Sequence, residues 1–336
     1  MVVGGGIAGL TAAWKFAGQN LKVELVEKTN FLGGHSINYT CKATDVCRQC
    51  GTCSVEQMLS RVVDEPLINV HLNSKVKKIS RGKKNSAVLE KNDIDKPGAT
   101  DTLEFDAVVL ATGFESFDPK RKSTFGYGRT KNLITGLELE HILQENSYPK
   151  RPSDGKEPGK IAFIQCVGSR DERLGNLWCS EVCCPYAMRM ASQIKYRNRD
   201  ADISIFYIDI QNTGKEFPIF YEKVKSDINF KRAIPVDIYQ IDDDRLSLRY
   251  MSEETGSPLD EEFDLVVLSA GIMPGADTKE IAEKFDVDIN EFGFLGESEK
   301  GVFTAGTAKG PGNIFDTIAD SEKAAYETMK YLGVIK

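Results

Sequence analysis

The chain has 336 residues, 41% of them hydrophobic and 28% charged, with a formal net charge of −7. This length and mix suit about two globular domains, and the acidic balance excludes a nucleic-acid partner, which needs a concentrated basic surface. Eight cysteines in two tight groups point to metal or redox use in a reducing cytoplasm, not to a secreted disulfide framework. The apolar N-terminal stretch lacks a basic leader and its glycines have another use, so no signal peptide is expected. No apolar run approaches the length of a membrane span.

In chain order, Val2-Val3 is a short strand running into Gly4-Gly5-Gly6-Ile7-Ala8-Gly9, a G-x-G-x-x-G turn. A helix is expected over Leu10–Ala17, then a strand over Lys22–Glu27. The glycines permit a tight turn, close approach of backbone to a pyrophosphate and close helix–sheet packing. The helix N-terminus offers amides to phosphate, and Glu27 stands where an acid accepts hydrogen bonds from a ribose. Strand, loop, helix, strand and acid in this order make a dinucleotide-binding unit. Lys28 is followed by a second glycine pair, Gly33-Gly34, and by His35, which reads equally as a ligand neighbour or a plain loop histidine. A cysteine group follows and then a helix over Ser54–Val63. Lys75-Val76 takes the place of backbone contacts to adenine, and His71 and His141 read as surface residues. Apolar strands then close on Ala111-Thr112-Gly113 and on Gly306-Thr307, the latter followed by Lys309, Gly310 and a helix from about Asn313-Ile314. Gly33-Gly34 and these two strand ends resemble the elements by which two-dinucleotide-domain flavoproteins of the thioredoxin reductase type enclose FAD. That family usually ends the last strand in Gly-Asp; here it is Gly306-Thr307, whose hydroxyl can still bond the ribityl chain. Lys309 reads as a partner for reduced flavin or as a solvated lysine.

The prolines and glycines of 145–160 mark a domain crossing. From Lys160 the pattern is strand, helix, strand over Ile203–Asp209, a hairpin around Asp242-Asp243-Asp244, and a closing strand 264–271 that repeats the pattern of 106–113. The expected fold is α/β: an FAD domain over 1–150 and 270–336, with a degenerate NAD-like domain inserted over 151–269. The insert lacks the glycine loop. Its first strand ends instead at Cys166, followed by Cys179, Cys183 and Cys184 in a C-x12-C-x3-C-C pattern. Thiolates grouped without histidine suit an iron–sulfur cluster, and no direct NAD(P)H site is expected. Earlier in the chain, Cys41, Cys47, Cys50 and Cys53 read C-x5-C-x2-C-x2-C. That group suits a second cluster, zinc, or a redox dithiol through Cys47 and Cys50.

Cys166-Val167-Gly168-Ser169-Arg170-Asp171, Cys179-Ser180-Glu181-Val182-Cys183-Cys184, Phe206-Tyr207-Ile208-Asp209-Ile210, and Thr213-Gly214-Lys215 with Phe220-Tyr221 resemble the A subunit of heterodisulfide reductase and its relatives. Those include the heterodisulfide-reductase-like complex of sulfur oxidisers and the A subunit of a quinone-interacting oxidoreductase complex. The resemblance covers nearly the whole chain. It implies a [4Fe–4S] cluster on Cys166, Cys179, Cys183 and Cys184 near the FAD, B- and C-type partner subunits, a homodimer and a cytoplasmic role in disulfide or sulfane-sulfur metabolism. The sequence shows no ferredoxin-like cysteine runs and no long extensions, and its size is most similar to the sulfur-oxidiser form. Two other readings use the same residues: a stand-alone flavin disulfide reductase with a cysteine dithiol, and a cluster-binding scaffold without turnover.

Overall fold

Two five-stranded parallel sheets carry the computed structural model, which describes residues 1–92, 97–211, 217–297 and 301–336. Thr213, Gly214 and Lys215 lie outside the described residues. The chain divides into two compact units, one of residues 1–38, 51–115 and 273–336, the other of 39–50 and 116–272.

The first unit's sheet runs Val302–Thr304, Val108–Leu110, Val2–Val3, Val23–Val26, Ile68–His71, all in parallel register. Its strands are short and valine-rich. Val108, Val109, Leu110 and Leu25 are wholly buried, as expected of a parallel sheet covered on both faces. The helices Ile7–Ala17 and Ile314–Tyr331 contribute Ala12, Ala13, Ala324 and Ala325 to one shared core; small side chains let the backbones approach closely. A three-stranded antiparallel sheet, Ser74–Ser80, Asn85–Asn92 and Pro97–Phe105, is appended.

The second unit repeats this plan. Its sheet runs Asn229–Lys231, Asp202–Phe206, Lys160–Val167, Leu265–Ala270, Leu133–Thr135, again parallel. The helix Cys183–Arg197 buries Ala187, Met188, Ala191 and Ile194, the helical spacing of an amphipathic face. The hairpin Asp237–Gln240 and Leu246–Met251 turns through Asp243 and Asp244 at φ 58° and 55°. Its third strand, Pro258–Phe263, adds Glu261, which takes Lys160 at 2.9 Å and Lys231.

The division differs from the sequence reading at residues 270–272, which stay with the insert, and in two longer stretches. Residues 116–150, assigned there to the first domain, cluster with the insert, because Leu133–Thr135 is an edge strand of its sheet and helix Gly136–Asn146 follows at once. The Pro/Gly-rich stretch is therefore a loop within the second unit. Residues 39–50 also join this unit, pinned by a buried ion pair. Lys42 and Glu140 are 2% and 1% exposed and bonded to each other. Glu140 also accepts from the amide and hydroxyl of Thr40 at 2.9 and 2.6 Å, and the ammonium lies over the rings of Tyr39 and Tyr186 at 5.4 and 5.5 Å. Breaking one partner of such a pair strands a buried charge at a cost of about 3–5 kcal/mol, whereas neutralising both costs far less. Lys42→Met should therefore lower stability to urea by that amount, and Lys42→Met/Glu140→Gln should recover more than half of it, read by far-UV circular dichroism.

Candidate nucleotide and cysteine sites

The residues expected to bind a nucleotide converge at the carboxyl ends of the first unit's parallel strands, the edge where open α/β sheets bind ligands. Gly4 has φ 105°, and a Cβ there would stand 2.2 Å from the carbonyl oxygen of Ala111; at Gly9 it would stand 1.8 Å from that of Gly4. These two positions admit only glycine. At Gly6 the nearest atom to such a Cβ is Gly34 Cα at 3.9 Å, so this glycine faces an open cradle at the start of the Ile7-Ala8 helix, which has no side-chain cap. The Gly33 amide donates to the Gly5 carbonyl at 2.8 Å and closes the cradle's other wall with Gly34.

Glu27 is buried, and its carboxylate accepts from the Gly5 amide at 2.6 Å and from the amide and hydroxyl of Thr29, each at 2.8 Å. It thus braces the glycine turn from the position where a ribose acid is expected. A cleft lined by Gly4, Glu27, Lys28, Val76, Thr112 and Phe285 opens beside it. Lys28 is held by Asp277 at 2.9 Å, and the Val76 carbonyl accepts from Lys284. His35 Nε2 lies 3.0 Å from the carbonyl of Phe114, with the rings 4.7 Å apart, which places it next to Gly113.

A second cleft is lined by Gly306, Lys309, Gly310, Asp316, Thr317 and Asp320. Asn313 caps its helix by accepting from the Asp316 amide at 3.0 Å, and Ile314 packs against Gly51. Thr307 is buried. Asp320, absent from the sequence reading, accepts from the Gly306 amide at 2.7 Å and from Lys309 at 2.9 Å. A carboxylate thus reaches the Gly306 amide from within the helix, and Lys309 is paired rather than free. The available signal was the i, i+4 spacing of Asp316 and Asp320, which places both on one helix face. Asp277 and Lys284 arrive from the chain's return, and no local pattern marks them.

In the second unit the central strand ends differently. Its register shifts between Ile164 and Val167, and Cys166 sits at φ 57°, a left-handed conformation that costs a non-glycine residue about 1–3 kcal/mol and tends to mark functional positions. Arg170 and Glu181 share that conformation at φ 52° and 60°. The loop that follows is built, not slack. Asn176 donates to the Gly168 carbonyl at 2.6 Å, Trp178 to that of Ile272 at 2.9 Å, and the Ser180 hydroxyl accepts from the Ile272 amide at 2.8 Å. It delivers Cys179 to the start of the Cys183–Arg197 helix.

Cys166, Cys183 and Cys184 are buried and Cys179 half-buried. Burial first, then the neighbouring Cys184, pushes the Cys166 thiol up to about 12. Cys183 is raised well above the ordinary thiol range by burial and then by Cys166, Cys184 and Cys179. Cys184 is raised by burial, against a backbone hydrogen bond from Gln211. The four sulfurs therefore sit close enough to repel one another as thiolates, and the bidentate pair Arg170–Asp209 lies beside them. Among the described residues, no three His, Cys, Asp or Glu side chains are already set around a metal ion. The fit rests on the donor set: four soft, mutually repelling sulfurs at a buried helix start, to which the amides of Cys166 and Gln211 donate, a setting that suits cluster sulfur and its thiolate ligands. Both amide atoms of Gln165 and the hydroxyls of Ser169 and Ser269 are buried there without partners, polar groups that a guest could satisfy.

The other group is open. Cys41, Cys47 and Cys53 are exposed and Cys50 half-buried. The first three in sequence belong to the second unit and Cys53 to the first. Arg189 and Gln193 of the Cys183–Arg197 helix hold the loop by donating to the carbonyls of Arg48 (2.8 Å) and Cys41 (2.7 Å).

Known proteins are similar to this chain in sequence and in fold. A family model described as pyridine nucleotide-disulphide oxidoreductase matches residues 1–151. Thioredoxin reductases of T. acidophilum and Lactococcus lactis superpose with TM-scores of 0.61 and 0.63 at 17% and 16% identity, covering 98% and 99% of this chain and 97% and 98% of theirs. The fold is that of a two-domain flavoprotein of the thioredoxin reductase type. Within that class, the chain is homologous to the A subunits of heterodisulfide reductases. It is 37% identical over 241 residues to the A subunit of the H(2):CoB-CoM heterodisulfide,ferredoxin reductase of Methanothermobacter thermautotrophicus, covering 66% of this chain and 36% of that one. It is 35% identical over 251 residues to an iron-sulfur A subunit of the CoB-CoM heterodisulfide reductase of Methanopyrus kandleri, covering 69% and 38%. At 27% identity, the corresponding Methanosarcina acetivorans protein matches 99% of the chain and 53% of its own length. The chain thus spans little more than a third of the first two relatives. Among the described residues, no helix is long and apolar enough to cross a membrane.

A raised pKa keeps a thiol protonated at neutral pH, and the protonated form is unreactive. In metal-free native protein at pH 7.5, iodoacetamide should label Cys41, Cys47 and Cys53 and spare Cys166, Cys183 and Cys184, as read by peptide mass spectrometry. Early labelling of Cys183 would contradict the burial described here.

Proposed function

We propose that this chain is an oxidoreductase subunit that binds FAD in the first unit and a [4Fe–4S] cluster on Cys166, Cys179, Cys183 and Cys184 in the second. One observation carries the reading: the second unit keeps the dinucleotide-domain sheet but ends its central strand in buried, mutually coupled cysteines where a phosphate-binding glycine turn would stand. Bound FAD can exchange electrons in pairs or singly, and a cluster carries one at a time. The chain's own residues do the holding. Gly4, Gly6, Gly9 and the Ile7-Ala8 helix start would cradle a pyrophosphate, Glu27 fixes the turn, and Val76 and Ala111–Gly113 would line the adenosine side. Gly33, Gly34 and His35 would form the opposite wall, while Gly306–Gly310 and the Asn313-Ile314 helix start would hold the flavin end. Asp320 holds Lys309 and would set the charge near a bound flavin.

With no second glycine cradle, the reductant is a protein and not NAD(P)H. Substrate chemistry on disulfide or sulfane sulfur then falls to B- and C-type partner subunits, with this chain as a homodimer. Cys41, Cys47, Cys50 and Cys53 are a second metal or redox set, suited to a cluster, to zinc or to a dithiol through Cys47 and Cys50; the exposure of Cys41, Cys47 and Cys53 supports such a role over inert thiols.

Anaerobically purified protein should contain one flavin and at least about four iron and four sulfide per chain. Cys184→Ser should lose about four of each and keep the flavin, and NADPH should leave the flavin oxidised. Protein free of iron and sulfide would sink the cluster assignment; rapid bleaching by NADPH would favour a stand-alone reductase. Asp320→Asn leaves Lys309 uncompensated. It should raise the flavin midpoint potential by about 30 mV, because a free cation favours the reduced, negative ring; an unchanged potential in a redox titration would remove Asp320 from this role.

A further inference from the structure

A central strand of a covered parallel sheet is normally apolar throughout, and Lys160–Val167 departs from that at one position. In its run Ile-Ala-Phe-Ile-Gln-Cys-Val, Gln165 is 1% exposed, and neither polar atom of its side-chain amide has a hydrogen-bond partner. The neighbouring strand Leu265–Ala270 carries a second such group, the hydroxyl of Ser269, 4% exposed and also without a partner. Leaving buried polar groups unpaired destabilises a fold, and an apolar side chain of similar shape would remove the penalty. In native proteins nearly all such groups are paired.

Their position in the sheet indicates the partner. Side chains alternate across a strand. Ile161 and Phe163 on one strand, and Leu265 and Val267 on the next, share a core with Cys184, Ala187 and Met188 of the Cys183–Arg197 helix. Gln165 and Ser269 are the next positions in that alternation, on the side of the sheet that this helix covers. The register sets them side by side: Ile164 pairs with Leu268 and Val167 with Ala270, on either side of the bulge that holds Cys166. The Cys183 thiol donates to the Ser269 carbonyl at 3.7 Å, which ties this row to the cysteines. Ser204 provides a contrast. It is equally buried and its hydroxyl also lacks a partner. It lies between Ile203 and Ile205 of the same core, however, so it faces the other side of the sheet, level with Ala162.

We infer that the Gln165 amide nitrogen and the Ser269 hydroxyl donate hydrogen bonds to sulfur of the iron–sulfur group on Cys166, Cys179, Cys183 and Cys184, and so raise its reduction potential. The inference rests on the cluster reading above. Sulfur in such a group accepts and does not donate, so the amide oxygen of Gln165 takes no part. A donor stabilises the reduced, more negative state of a cluster more than the oxidised one.

The test compares Gln165→Leu and Ser269→Ala with Ser204→Ala, all in the full chain. In metal-free protein each substitution should raise the melting temperature, because each removes an unpaired polar group. In protein loaded with iron and sulfide, Gln165→Leu and Ser269→Ala should lose that gain, while Ser204→Ala keeps it. Redox titration followed by electron paramagnetic resonance should show the reduced-to-oxidised ratio of Gln165→Leu about ten-fold smaller at a given potential, a fall of about 59 mV for one electron. Ser269→Ala should shift in the same direction and Ser204→Ala should not shift. Gln165→Met, which keeps the length of the side chain, serves for the titration if Gln165→Leu sheds the cluster. Metal-free Gln165→Leu melting at or below the wild type, or an unmoved potential in loaded Gln165 and Ser269 variants, overturns the inference and leaves the cluster reading intact. Wild-type protein without iron and sulfide overturns both.

Discussion

Both units are built around one constraint: the chain must leave the central strand of a parallel sheet at the edge where strand order reverses, and turn at once. In the first unit the turn is so tight that a Cβ at Gly9 would stand 1.8 Å from the Gly4 carbonyl oxygen. Glycine is the only residue that allows the helix start to close on the strand, and the close packing creates the open cradle in front of Gly6. In the second unit the same place is taken by Cys166, strained to φ 57° at a register shift. The strain turns a strand residue out of alternation, toward the helix that begins at Cys183. Two copies of one architecture thus present backbone amides at one strand end and sulfur at the other.

The surroundings of each turn follow from that difference. Around the glycine turn the protein supplies fixed acceptors and paired charges: Glu27 on the Gly5 amide, Asp320 on the Gly306 amide, Asp277 on Lys28. Around the cysteines burial, and then the neighbouring sulfurs, raise the thiols.

The buried Lys42–Glu140 pair performs a separate task. It draws residues 39–50 into the second unit, so that this cysteine-bearing loop is gripped by the same helix whose first turn carries Cys183 and Cys184. Buried ion pairs stabilise little in net terms but penalise misplacement heavily, a property suited to fixing a long loop in one position.

Much of this was legible in the amino-acid sequence because the signals are local. Glycine spacing, the strand endings at 106–113 and 264–271, the vicinal pair Cys183-Cys184 and the start of its helix are set by backbone sterics and helical periodicity over a few residues. Other features were not legible. The allegiance of 116–150 depends on which sheet offers an edge to Leu133–Thr135, and that of 39–50 on a lysine and a glutamate 98 positions apart finding each other. Asp320 reaches the Gly306 amide and Lys309 because a helix brings it back to the strand end. Local sterics and spacing determined the turns and the donor sets; the tertiary structure alone decided which charges neutralise which, since buried pairing depends on through-space distance and on exclusion of water, neither of which is written in sequence separation.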